Sequence, residues 1–116
     1  MNDGMDQAGL TEMLKGVLEG CVMQILCQSD SYGYEIVKAL GQAGFTSVSE
    51  GTVYPILLRL EGKHLVDVNK ARSEMGPPRK VYTLNPAGRV ALDGFWQRWE
   101  FITNSLGVLK ENKLGA

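Results

Sequence analysis

Six cations lie between residues 59 and 80: Arg59, Lys63, Lys70, Arg72, Arg79 and Lys80, against the acids Glu61, Asp67 and Glu74. Residues 1–30 reverse the balance, with Asp3, Asp6, Glu12, Glu19 and Asp30 against Lys15 alone. The chemistry open to such a cluster is neutralisation of a polyanion such as a phosphodiester backbone. A net charge of −1 speaks against that only weakly, because the distribution of charge and not its sum makes a binding face. A mixed, solvated surface is the competing account. Tyr32, Tyr34 and Tyr54 precede the cluster. A phenolic hydroxyl at a helix start can donate to phosphate.

Other chemistries find no residues. Cys21 and Cys27 are six positions apart on one helical pattern, so they point to different faces and neither chelate one metal nor pair within that helix. They read as small buried hydrophobes. His64 is the sole histidine. No nucleophile–base signature, phosphate-binding glycine loop or metal motif is present, so the expectation is no enzyme, no cofactor and no metal. No apolar run approaches the ~20 residues of a membrane span. The start, MNDGMDQAG, is unlike a signal peptide. A soluble, cytoplasmic, reduced protein is expected.

The elements that must position the cations follow from periodicity. Leu10, Met13, Leu14, Val17, Leu18, Cys21, Ile25 and Leu26 describe one long first helix. Ser31 is a candidate cap for a second helix carrying Tyr32, Ile36, Val37 and Leu40, which GQAG at 41–44 stops. Thr46–Val48 is a candidate strand stub. Ser49 is a candidate cap for a third helix in which Val53, Ile56, Leu57 and Leu60 form the buried stripe. Gly51, Pro55 and Gly62 fall together on the opposite side, and Leu58 near them fits packing under a neighbouring element. After Val66 the period becomes two, and Val66–Lys70 and Val81–Leu84 read as a hairpin around ARSEMGPP. Asn85-Pro86 opens a last helix. Its residues Leu92, Phe95, Trp99, Ile102, Leu106 and Leu109 step by 3 and 4, the seam of a helical pair. The fold class is mostly α with a small β-hairpin: a winged helix-turn-helix plus a long C-terminal helix. The boundaries expected are a flexible segment 1–9, the winged domain 10–84, the helix 85–112 and a tail 113–116.

YGYEI at 32–36, SEGTVYPILLRLE at 49–61, GPPRKVYTL at 76–84 and NPAG at 85–88 resemble, in order, the PadR family of bacterial transcriptional regulators. The short chain is similar to the subgroup with a single C-terminal helix, which includes multidrug-sensing repressors. One position departs from the family pattern: His64 stands where a glycine usually ends the recognition helix.

The resemblance implies a homodimeric repressor that binds a pseudo-palindromic, double-stranded operator. Its reading helix is 49–63. The small outer residues Gly51 and Pro55 let the backbone approach the groove, and Ser49, Thr52, Tyr54, Arg59 and Lys63 contact phosphates or base edges. Tyr34 is expected on phosphate; Tyr32 stays open between phosphate and core. Lys70, Arg72, Arg79 and Lys80 place the wing's charge along the backbone. The six seam residues are expected at the dimer interface. Trp96 and Trp99 either stack a small planar aromatic effector or only fill that interface. A rival class is a winged-helix module that docks protein and not DNA.

Overall fold

The computed structural model describes residues 7–71 and 76–111. In place of one long first helix the chain makes two, α1 (Gln7–Leu14) and α2 (Leu18–Gln28). Gly16 lies at the break, where the Val17 N–H donates to the Leu14 carbonyl at 2.8 Å in a tightened i→i−3 turn. A glycine costs a helix interior about 1 kcal/mol relative to alanine. The apolar pattern that crosses it reports which face is buried, not whether the helix is continuous. Gln7–Gly9, expected in a flexible segment, belong to α1.

Three further helices and a hairpin follow: α3 (Gly33–Gln42), α4 (Glu50–Gly62), β1 (Val66–Ala71), β2 (Arg79–Leu84) and α5 (Pro86–Lys110). The strands are antiparallel, with Val66 opposite Leu84 and Lys70 opposite Lys80. Val22, Leu26, Ile36, Leu40, Val53, Leu57 and Leu60 are the fully buried centre, so α2, α3 and α4 converge on one core. Tyr82 and Leu84 close it from the hairpin and Leu92 from α5. This is the winged-helix arrangement that the sequence implies.

Ser31 does not cap α3. Its backbone pairs with Tyr82 in both directions, Ser31 N–H to Tyr82 O at 3.1 Å and Tyr82 N–H to Ser31 O at 2.8 Å. The helix instead starts after Tyr32, whose N–H donates to the Glu35 carboxylate at 3.2 Å. The strand stub expected at Thr46–Val48 does not form; Val48 is a core residue there. The isolated pairing lies instead at Ser31, because a one-residue bridge to a strand far along the chain leaves no periodic trace.

α3 and α4 end alike. Phe45 N–H donates to Leu40 O and Gly44 N–H to Gly41 O; Leu65 N–H donates to Leu60 O and His64 N–H to Glu61 O, at 2.9 to 3.0 Å. Both are Schellman closures, which need a left-handed residue. In α3 that residue is Gly44, with φ 111°; in α4 it is His64, with φ 58°. A residue with a Cβ bears about 1–2 kcal/mol there. His64→Gly is therefore expected to stabilise the chain by about 1 kcal/mol, after the greater unfolded-state freedom of glycine is subtracted. Chemical denaturation reads this directly. An unchanged midpoint would show that the imidazole contributes as much as the strain costs.

Asn85 binds the start of α5 to that same corner. Its side-chain oxygen accepts from Gly88 N–H at 2.8 Å, and its Nδ2 donates to the His64 carbonyl at 3.0 Å. From there α5 runs 25 residues, about 37 Å, and makes the molecule 63 Å long.

Candidate nucleic-acid interface

α4 survives its proline because of where the proline falls. Pro55 lies in the second turn and crowds the carbonyl four residues back. That carbonyl belongs to Gly51, the residue type that adjusts most cheaply. Val53, Ile56, Leu57 and Leu60 are buried, and Gly51, Thr52, Pro55, Arg59, Gly62 and Lys63 are exposed, as the spacing predicts. A Cβ at Gly62 would meet nothing within 4 Å, and one at Gly51 only the Ser49 hydroxyl at 3.6 Å. The protein's own packing thus makes no demand for a low face. Ser49 stands at the N-cap position without a side-chain hydrogen bond to the helix, so its hydroxyl points at no helical donor. Leu58 does not pack under another element: it is 61% exposed, on the rim of an open groove with Val66 and Val68.

Beside α4 lies a cleft of about 540 Å³ lined by Tyr32, Tyr34, Tyr54 and the segment from Gly76 to Lys80. Two helix starts and the wing build it. Gly33, between the first two tyrosines, makes room for the third: a Cβ there would sit 2.8 Å from the Tyr54 ring and hydroxyl. Tyr32 is half-buried, neither core nor free, and carries Arg79 over its ring, Cζ 4.6 Å from the centroid. That stacking aims the guanidinium while leaving its donors unspent. Arg79 and Lys80 belong to β2 itself and are exposed. Lys70 faces Lys80 directly across the ladder, and among the described residues no ion pair involves either. Like charges so placed repel. An anion laid across the wing would relieve the repulsion. Arg72 lies outside the described residues.

Arg59 and Lys63 do not point straight out. Both turn to the flank of α4 that faces α2 and meet one carboxylate there, Arg59 Nε to Glu19 Oε2 at 3.5 Å and Lys63 Nζ to Glu19 Oε1 at 3.0 Å. Nothing in the spacing of α4 signals Glu19, which lies on another helix.

The seam of α5 divides. Leu92 is buried in the chain's own core, and Phe95 packs over Gly20, where any Cβ would collide with its ring. From Trp99 onward exposure climbs, 40% at Trp99, 48% at Ile102, 55% at Leu106 and 61% at Leu109. Trp96 donates its indole N–H to Gln24 on α2 at 2.8 Å and meets Phe95 edge-on, centroids 5.0 Å apart. It anchors α5 to α2 while its ring stays partly open. Burial pushes the Cys21 thiol up, against a smaller opposing backbone hydrogen bond, which suits an unreactive thiol. Cys27 accepts from Arg89 at 3.2 Å. Burial likewise raises the Tyr82 phenol, with Glu61 and then Tyr54 adding to it. Among the described residues no helix is long and apolar enough to cross a membrane, and no group of three His, Cys, Asp or Glu could hold a metal.

Known proteins are similar to this chain. A PadR-like transcriptional regulator from Bacillus cereus strain ATCC 14579, known by crystal structure, is 42% identical and matches with a TM-score of 0.74 over 84% of this chain and 95% of that one. Transcriptional regulator Rv3488 of Mycobacterium tuberculosis is 37% identical over 71 residues, 61% of this chain and 64% of that protein. Bacillus subtilis PadR, solved in complex with operator DNA, is similar in fold: 21% identical, TM-score 0.64, over 72% of this chain and 48% of that one. The sequence model of the transcriptional regulator PadR-like family matches residues 22–94, from the middle of α2 into α5. The chain belongs to the PadR-like family of transcriptional regulators.

Proposed function

We propose that this chain represses transcription in the cytoplasm by binding operator DNA as a homodimer. Each protomer lays α4 in a major groove and the β1–β2 wing along the neighbouring backbone. The observation that carries the reading is the tyrosine cleft: three phenols and the cations Arg79 and Lys80 converge on one concavity beside a helix whose outer face is kept low. Phenols and cations are the groups that bind phosphate, and a low helix face lets base edges come near. The fold shared with Bacillus subtilis PadR, a protein solved on its operator, fits the same reading. The exposed stripe from Trp99 to Leu109 is the surface for the second copy. Trp96 and Trp99, both partly open where α5 leaves the domain, offer a planar aromatic effector a stacking surface. Its binding there would change the angle between the two heads and release DNA.

The test is fluorescence anisotropy on a duplex from the region upstream of the chain's own gene, at low and at moderate salt. Binding should fall steeply with salt. Arg79→Ala should weaken it about tenfold on all sequences alike and flatten the salt slope by about 1, as loss of one phosphate contact does. No binding even at low salt would sink the repressor reading for that site and leave the protein-docking alternative standing.

A further inference from the structure

We infer that Glu19 is a built-in competitor of DNA: an internal stand-in for phosphate that occupies Arg59 and Lys63 until a correct site draws them away. The inference rests on the proposed DNA-binding role of α4 and goes beyond it, by assigning specificity to a residue on another helix. One carboxylate holds both cations, an oxygen for each. Both cations remain more than half exposed, while Glu19 is less open, at 27%. Glu19 is fixed in the first turn of α2, where the helix dipole favours a negative charge. The anion is therefore the stationary partner, and the two long cationic side chains are the ones free to leave.

The arrangement does little for folding, because exposed ion pairs add little stability. It acts on binding. A duplex that engages α4 loosely, through the wing alone, leaves Arg59 and Lys63 on Glu19. A duplex that fits α4 brings phosphates within their reach and exchanges one oxyanion for another. Glu19 then stands unpaired and takes up a cation from solution, which cancels part of the counterion release that drives binding. A loosely held duplex forgoes both phosphate contacts, whereas a seated operator makes them and forfeits only the uptake of one cation. Glu19 so lowers background affinity more than operator affinity.

The experiment compares the full-length parent with Glu19→Gln on an upstream-region duplex and on a scrambled duplex, across a salt series. Glu19→Gln should tighten scrambled-duplex binding about three- to tenfold and operator binding less. Its salt slope should steepen by up to about 1.8 on the scrambled duplex, near 0.9 for each cation freed, and by no more than about 0.9 on the operator, where the cation uptake of one carboxylate is removed. In a chain already carrying Arg59→Ala and Lys63→Ala, adding Glu19→Gln should change nothing; the non-additivity identifies the pair contact. Equal binding by parent and Glu19→Gln overturns this inference alone. The same gain without the two cations also overturns it, because a general charge effect would then suffice. Failure of both proteins to bind any duplex overturns this inference and the DNA-binding reading together.

Discussion

Leu106→Glu is expected, on the proposed homodimer, to leave a monomer and to lower affinity for a two-half-site duplex by at least about a hundredfold. Loss of the second head removes the effective-concentration gain of paired binding, about 10²–10⁴ for linked sites. Leu106 is the right place to cut. Leu92 and Phe95, on the same seam, are used within the protomer, so changing them would damage the fold. Leu106 lies two heptads beyond Leu92, more than half exposed, where α5 has left the domain. A carboxylate on a two-fold seam meets its own copy or buries a charge, and either outcome is costly. Light scattering behind size exclusion gives the mass, and an unchanged thermal midpoint at high dilution would confirm an intact protomer. A Leu106→Glu protein that stays dimeric would place the interface elsewhere, with the exposed ring of Phe101 on the next flank of α5 as the surface to probe.

How far the sequence carries varies with the distance over which each feature is determined. The buried face of α4 is legible to the residue. Val53, Ile56, Leu57 and Leu60 must share one face at helical spacing, and that is the buried face. Asn85-Pro86 marks the start of α5 because capping chemistry is local, and Asn85 does accept the Gly88 N–H. Arg79 and Lys80 belong to the wing because Pro77 and Pro78, which cannot join the ladder, stay in its loop and leave these two residues to open β2. What fails is whatever depends on a partner far along the chain. Ser31 is a plausible cap until Tyr82 claims its backbone. Arg59 lies on the flank of a wheel, but a wheel gives only the direction in which a side chain leaves. A long, flexible side chain ends where its charge finds company, and Glu19 is 40 residues away. The break at Gly16 fails for a different reason: burial pattern and helix continuity are separate properties, and one glycine weakens the second without touching the first.

Gly88→Ala should destabilise the chain by about 1–2 kcal/mol, although alanine is the better helix former. Gly88 is in the first turn of α5, and its missing Cβ faces the Leu65 carbonyl oxygen and the Leu84 side chain. That carbonyl cannot yield readily. It already accepts the Asn85 N–H at 3.2 Å, and it belongs to the link between the Schellman end of α4 and the start of β1. Relief would require α5 to move off the corner where Asn85 holds it to His64. Propensity favours alanine by about 1 kcal/mol, while forcing a group into a filled space costs about 1–3 kcal/mol and more against backbone. Gly41 supplies the reference, since a Cβ there meets nothing within 4 Å. Gly41→Ala should be neutral or stabilising in the same urea titration. The opposite signs matter for function as well as for folding. The first turn of α5 sets the direction of the helix that, in the proposed homodimer, joins the two heads, so a Gly88→Ala chain that still folds should hold its recognition helices at the wrong spacing. It should lose operator affinity by more than its lost stability explains. A Gly88→Ala protein as stable as the parent would mean that the corner between α4, β1 and α5 is loose, and that α5 is aimed by Trp96 and Gln24 instead.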